Sequence, residues 1–180
     1  MAENLLHFFE PLKSVSPVVY TLIISMVPLI ELRGSIPVAI KLGLPWYEAY
    51  FYSVIGSMIP AFFVIPLFDW TLKYLEKHHF LPWLTDFLNK RVASKAQQVA
   101  NQTSQIEQSD RKAWQKELLK FWAVVIFVAV PAPGTGVYTG SAIASVIKMD
   151  FPKALAAVFL GDVIAGAIVT ALSLGVFSLL

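Results

Sequence analysis

The sequence predicts an all-α integral membrane protein made of two internal repeats, each a broken or re-entrant hairpin followed by a transmembrane helix. Three observations predict it. First, residues 14–30, 49–68 and 121–147 contain no Asp, Glu, Lys or Arg, and residues 154–180 contain only Asp162. Stretches of about 18 apolar residues or more are long enough to cross a bilayer. Second, the 180-residue chain is 57% hydrophobic and only 14% charged, with a mean hydropathy of +0.65; a soluble domain carries about 25% charge. Third, one pattern is written twice. Val27-Pro28, Gly34-Ser35, Ile40-Lys41, Pro45 and Gly56-Ser57-Met58-Ile59 recur in order as Val130-Pro131, Gly140-Ser141, Ile147-Lys148, Pro152 and Gly161-Asp162-Val163-Ile164.

The elements follow in chain order. Residues 1–16 lack a basic start and carry Glu3 and Glu10, unlike a cleaved signal peptide. Leu5, Leu6, Phe8 and Phe9 suit a short amphipathic segment on the membrane surface. Residues 17–72 form the first repeat and 118–180 the second. In each, a stretch interrupted by Pro and Gly (17–44 and 118–150) precedes an apolar helix (46–72 and 152–180). Pro28 and Pro37 flank Glu31-Leu32-Arg33-Gly34, and Pro131-Ala132-Pro133-Gly134-Thr135-Gly136 cannot propagate a helix, because Pro lacks a donor and Gly is entropically costly. Two geometries fit each interruption: a hairpin that dips in and returns, or one span with an unwound middle. Arms of about a dozen residues favour the hairpin. Hairpins make the two repeats inverted, whereas full spans make them parallel.

Residues 73–117 are the polar connector. Nine of the fourteen Lys and Arg residues lie between positions 73 and 120, with five acids, which expects the connector in the cytoplasm and the protein in the cell (inner) membrane. Val92, Val99, Ile106 and Ala113 recur every seven residues, the stripe of a helix. The same basic stretch lacks the aromatic interleaving and motifs of nucleic-acid binding. The chain has no cysteine, which excludes disulfides, thiolate metal sites and Cys nucleophiles. No metal-ligand spacing, nucleophile elbow or nucleotide loop occurs, so neither an enzyme nor a cofactor is expected.

Charge inside apolar stretches is costly, about 2.5–3.5 kcal/mol per residue on insertion scales, and usually marks a pathway. Glu31, Arg33 and Asp162 are therefore the candidates. Arg33 presents a planar fork of donors suited to phosphate or carboxylate. Glu31 and Asp162 are proton-coupling candidates, with Asp162 aligned to Ser57. Gly34 and Ser35 adjoin the pair. The Gly134, Thr135 and Gly136 turn opens a helix near Val137, with Thr135 a candidate cap and Thr139 a further hydroxyl; a helix N-terminus attracts anions. The bland alternative is a structural ion pair and a plain helix-breaking turn.

Glu31-Leu32-Arg33-Gly34-Ser35-Ile36-Pro37 and Pro131-Ala132-Pro133-Gly134-Thr135-Gly136 resemble the two signature stretches of the small multidrug export membrane-protein family. The resemblance covers both repeats and leaves out the connector. A more distant resemblance is to the DedA-like proteins, which have two opposed re-entrant hairpins and are implicated in moving lipids, including polyprenyl-phosphate carriers. Pro131-Ala132-Pro133-Gly134 matches their Pro-x-Pro-Gly turn. The acid they carry four or five residues before the first Pro falls here on Phe127 or Ile126, and Thr135 rather than an acid follows Gly134.

Together these features lead to one expectation: a proton-coupled transporter of an amphiphilic anionic substrate, such as a phospholipid or polyprenyl-phosphate, held by Arg33 and the Gly134–Gly136 turn. The rivals are a small multidrug exporter for hydrophobic cations and a non-transporting membrane scaffold. The small protomer suggests a homodimer in the lipid bilayer, with Gly56/Pro60 and Gly161/Ala165 as positions for close helix approach.

Overall fold

The computed structural model describes residues 16–78 and 112–177, apart from Leu29 and Pro133. The expected surface segment before residue 16 and most of the connector, including Trp83 and the heptad positions before Ala113, lie outside the described residues. Among the described residues there are six helices and no strand: α1 (Pro17–Ser25), α2 (Glu31–Lys41), α3 (Trp46–His78), α4 (Ala113–Ala129), α5 (Val137–Val146) and α6 (Phe151–Phe177). α3 continues to His78 and α4 starts at Ala113, so helix runs into both margins of the expected connector.

Two of these helices are long and apolar enough to cross a membrane, over Trp46–Phe68 and Phe151–Gly175. They lie side by side and antiparallel. Tyr50 Oη donates to the Val163 carbonyl at 3.2 Å, Ser57 Oγ to Asp162 Oδ2 at 2.6 Å, and Phe62 meets Phe151 edge-on with ring centroids 5.5 Å apart. At 1.5 Å per residue, Ser57 and Asp162 each sit about 16 Å along their helices, near the middle of a roughly 30 Å hydrocarbon layer.

Each long helix carries a helical hairpin. Val18, at the start of α1, packs against the cluster of Ala39, Leu44 and Ala49 at the end of α2 and the start of α3, so α1 and α2 lie back to back. Glu117 in α4 is bridged at 2.9 Å by Lys153, which also holds Asp150 at 2.8 Å just after α5; the second hairpin pairs its arms in the same way.

The same devices build both hairpins. After α2, the Leu44 N–H reaches the Ala39 carbonyl with Gly43 at φ +90; after α5, the Met149 N–H reaches the Ala144 carbonyl with Lys148 at φ +52. This is the helix-ending turn that needs one left-handed residue. α1 seats against α3 at Gly56, where an added Cβ would lie 2.6 Å from the Leu22 carbonyl and 2.7 Å from Ser25 Cβ. α4 seats against α6 at Gly161, where a Cβ would lie 2.6 Å from Val128 Cβ and 2.8 Å from the Val125 carbonyl. Ala165 is buried with Leu32, Ile36 and Val54. Gly56, Gly161 and Ala165 therefore serve packing within the protomer, which corrects their expected place at a dimer contact.

Polarity is distributed inside out. Phe51, Phe62, Phe63, Leu67 and Trp70 of α3, and Trp114 and Ile126 of α4, are each more than half exposed. Ser25, Ser35, Ser53 and Ser57 are fully buried, and Glu31 and Asp162 nearly so. A soluble monomer rarely exposes so extended an apolar surface, whereas lipid covers it without cost.

Candidate functional site

The hairpin tips meet between the long helices, and the first-turn residues of α2 build the junction. Glu31 begins α2 with φ +48, a backbone region where a Glu is strained by about 1–3 kcal/mol. Its N–H is held by the Val27 carbonyl at 3.0 Å. The strain aims the carboxylate at the start of α5. There Gly136 leaves the space that Glu31 fills, since any Cβ at Gly136 would overlap the carboxylate. The backbone N–H of Tyr138, in the first turn of α5, lies near enough to act on the same carboxylate. A helix N-terminus carries unpaired N–H groups and partial positive charge, so Glu31 caps α5 from the other hairpin.

Arg33 reaches the other half of the break. Its Nη1 donates to the Ala132 carbonyl, and its Nη2 to the Val130 carbonyl at 3.2 Å and to Thr135 Oγ1 at 2.9 Å. These carbonyls follow the C-terminus of α4, where partial negative charge collects. Thr135 lies 2.6 Å from the Val130 carbonyl and 2.7 Å from the Ala132 carbonyl, so its one hydroxyl proton serves that turn. This corrects its expected role as the cap of α5, whose N-cap is Gly136 with no side-chain bond. Among the described residues, Arg33 makes no ion pair within 4 Å, so the expected Glu31–Arg33 pair is two separate caps on the two ends of one broken helix.

A reciprocal contact runs the other way. Tyr138 Oη donates to the Met26 carbonyl, just past the end of α1. Each tip thus grips the backbone of its opposite. The sequence did not single out Tyr138; an aromatic directly after a Pro/Gly break was the available signal.

Asp162 is 2% exposed and, among the described residues, hydrogen-bonds only Ser57, itself fully buried. Glu31 and Arg33 are the charged groups near enough to act on it through space. The expected direct pairing of Asp162 with Arg33 is replaced by this neutral hydroxyl. Gly34 lies against Ile30, and Gly134 is exposed with φ +79. Thr139 is half-buried in the first turn of α5. Ser35 faces away from Arg33 and bonds Ser25 and Ser53, each at 2.7 Å. The described residues contain no group of three metal-ligating side chains.

An all-helical membrane protein with charged residues buried where two hairpin tips meet is the class that fold and site define. A family model described as "Putative small multi-drug export protein" matches residues 31–168, and the chain belongs to that family. No curated protein and no solved structure matches the chain, so the DedA-like resemblance gains no support from them.

Proposed function

We propose that the protein is a proton-coupled membrane exporter of hydrophobic cations, with Asp162 as the coupling carboxylate. One observation carries the reading: among the described residues, of the three site charges Glu31, Arg33 and Asp162, Asp162 alone lacks a fixed counterpart. Arg33 is matched by the carbonyls after α4, and Glu31 by the N-terminus of α5. Asp162 has a hydroxyl alone. An isolated buried charge is strongly unfavourable, so this carboxyl holds a proton or a cationic substrate, and exchange between the two couples their movements. Ser57 serves either state. Its hydroxyl donates to ionised Asp162, or accepts from the protonated acid while donating to the Val54 carbonyl 3.0 Å away.

The architecture behind the proposal is a pair of inverted repeats with re-entrant hairpins. The matched turns at Gly43 and Lys148, the matched seats at Gly56 and Gly161, and the antiparallel long helices support it. They set the register at 105 residues from α2 onward, which pairs Ser57 with Asp162, Glu31 with Gly136 and Arg33 with Tyr138. The first two pairs touch, as residues on a pseudo-two-fold axis do. The proposal keeps the connector (73–117) cytoplasmic in the cell membrane, and a homodimer, since six helices form a thin wall around a cavity.

A second reading, transport of an anionic amphiphile such as a phospholipid or polyprenyl-phosphate, is favoured by the donor set of Arg33 and α5. These donors now hold the protein's own carbonyls and carboxylate, so that substrate requires the tips to part. Proteoliposomes separate the two. Tetraphenylphosphonium should move against proton counterflow and cease with Asp162→Asn, while a polyprenyl-phosphate should not compete. Transport by Asp162→Asn at the parent rate would refute the coupling role.

A further inference from the structure

A buried line of hydroxyls runs from the neighbourhood of Asp162 to one end of the molecule. Ser57 and Ser53 lie one turn apart on α3. Ser53 Oγ is 2.7 Å from Ser35 Oγ on α2, which is 2.7 Å from Ser25 Oγ on α1. Ser25 also donates to the Thr21 carbonyl at 2.6 Å, and Thr21 Oγ1 donates to the carbonyl of Pro17 at 2.7 Å. Ser25, Ser35, Ser53, Ser57 and Thr21 are all completely buried, and Pro17 is exposed. The line therefore joins three helices and surfaces at the end where α1 begins.

The opposite half closes the equivalent route. With the 105-residue register of α2 and α3, and the 103-residue register that pairs Leu22 with Val125, the counterparts of Ser53, Ser35, Ser25 and Thr21 are Val158, Gly140, Val128 and Val124. They are packed in the same way. A Cβ at Gly140 would run into Val128 and come 3.7 Å from Val158, just as Ser35 touches both Ser25 and Ser53. Val124, Val128 and Val158 are buried in one apolar cluster. A structural need for hydroxyls at these positions would apply to both halves, yet only one half has them.

We propose that Ser53, Ser35, Ser25 and Thr21 form a proton file that connects Asp162, through Ser57, to the membrane face at which α1 begins and to that face alone. The inference rests on the reading of Asp162 as a proton carrier. In each step a hydroxyl oxygen accepts one proton while its own proton passes to the next oxygen, so every serine keeps one proton with its hydrogen bond reversed until the hydroxyls turn back, and the net change is one proton moved from the Asp162 carboxyl to water. The one-turn gaps between Ser57 and Ser53, and between Ser25 and Thr21, span about 5–6 Å between Cβ atoms, a separation that one bridging water closes. The titratable and charged groups that face Asp162 are Glu31 and Arg33 of α2 and Tyr50 of α3. α4 and α5 present Val125, Val128 and Gly140 to that stretch of α6.

A carbodiimide that reacts with protonated buried carboxyls tests this, using the full chain in right-side-out and inside-out vesicles with pH changed on one side at a time. Modification of Asp162 is read by mass spectrometry, and Asp162→Asn marks the site. In the parent, labelling should follow the pH on the α1 face and ignore the other. Ser35→Ala and Ser53→Ala should slow that response at least ten-fold, and Ser35→Thr should restore it. Labelling that follows the opposite face in the parent, or an unchanged response in both alanine variants, overturns the file and leaves Asp162 coupling intact. Absence of labelling in the parent at every pH removes Asp162 as a proton carrier, and with it both the file and the proposed function.

Discussion

Replacing Arg33 by Lys keeps a cation in place but removes the fork. The guanidinium spans three acceptors: the Ala132 carbonyl, the Val130 carbonyl at 3.2 Å and Thr135 Oγ1 at 2.9 Å. One ammonium retains a single acceptor of this set, so two charge-assisted bonds are lost, each worth about 1.5–3 kcal/mol. The released carbonyls keep partners, because the Ala132 N–H reaches the Val130 carbonyl at 2.8 Å and the Thr135 N–H reaches the Ala132 carbonyl at 3.2 Å. No orphaned-acceptor penalty is added, and one lost bond is long, so the low end applies: about 2–3 kcal/mol. For a chain of this size that corresponds to a fall in Tm of roughly 4–12 °C, readable by unfolding in detergent. Thr135→Val in the same background should cost less with Arg33→Lys present than alone, giving a coupling energy of about 1 kcal/mol in a double-mutant cycle. If Arg33 acted only as a point charge for a bound anion, Lys would preserve both stability and transport. An Arg33→Lys protein that unfolds with the parent would refute the argument that this side chain fastens the second tip.

Gly56→Ala and Gly161→Ala should each destabilise by about 1–3 kcal/mol through overpacking against backbone that cannot retreat, and by similar amounts; the measurement is the shift in unfolding. The cysteine-free chain suits accessibility mapping: Ser16→Cys and Gly43→Cys should react with an impermeant maleimide from one side, and Lys112→Cys and Lys148→Cys from the other. Full spans would separate the members of each pair. At the surface, the hydrogen bond and charge of Lys153 hold the Asp150 carboxyl below the ordinary carboxylate range. The pair's contribution is thus present above that range and is lost as pH falls through the lowered value. Lys153→Ala should return the Asp150 titration, followed by NMR, to its usual position.

The parts of the fold legible in the sequence were those written in composition and backbone chemistry. Charge-free stretches gave the long helices, and Pro and Gly gave the interruptions. The contents of the site were less legible, because a partner chosen by folding leaves little local trace. Glu31 and Arg33 were visible as charge in an apolar stretch. Nothing near them in sequence says that they cap the two ends of a helix break a hundred residues away. The register between the two stretches is hard to read from letters for a similar reason. Matching letters aligned Gly34 with Gly140 and Ile40-Lys41 with Ile147-Lys148, whereas backbone conformation pairs Gly43 with Lys148. A Lys at φ +52 occupies a position that composition alone would assign to Gly. Ser25, Ser35 and Ser53 read as ordinary helix residues until three helices bring them together.

Under the proposed repeat, two unlike copies in one chain suit this site better than two identical copies would. On a two-fold axis a residue meets its own counterpart. Two identical halves would set Glu31 against Glu31, and the acid at 162 against an acid, in a place with no water to screen them. Within one chain the counterparts of the proposed repeat can differ. Gly136 yields the space that Glu31 needs, since any larger residue there overlaps its carboxylate. Ser57 offers Asp162 a neutral partner at 2.6 Å. Tyr138 stands where a second guanidinium would add an unmatched positive charge, and it keeps the reach to the opposite backbone at Met26. Residues 17–72 supply Glu31, Arg33 and the hydroxyl line, and residues 118–180 supply the acid and an apolar seal. A junction divided in this way has two different faces, which is what a carrier needs if its carboxyl is to exchange protons with one side of a membrane and not the other.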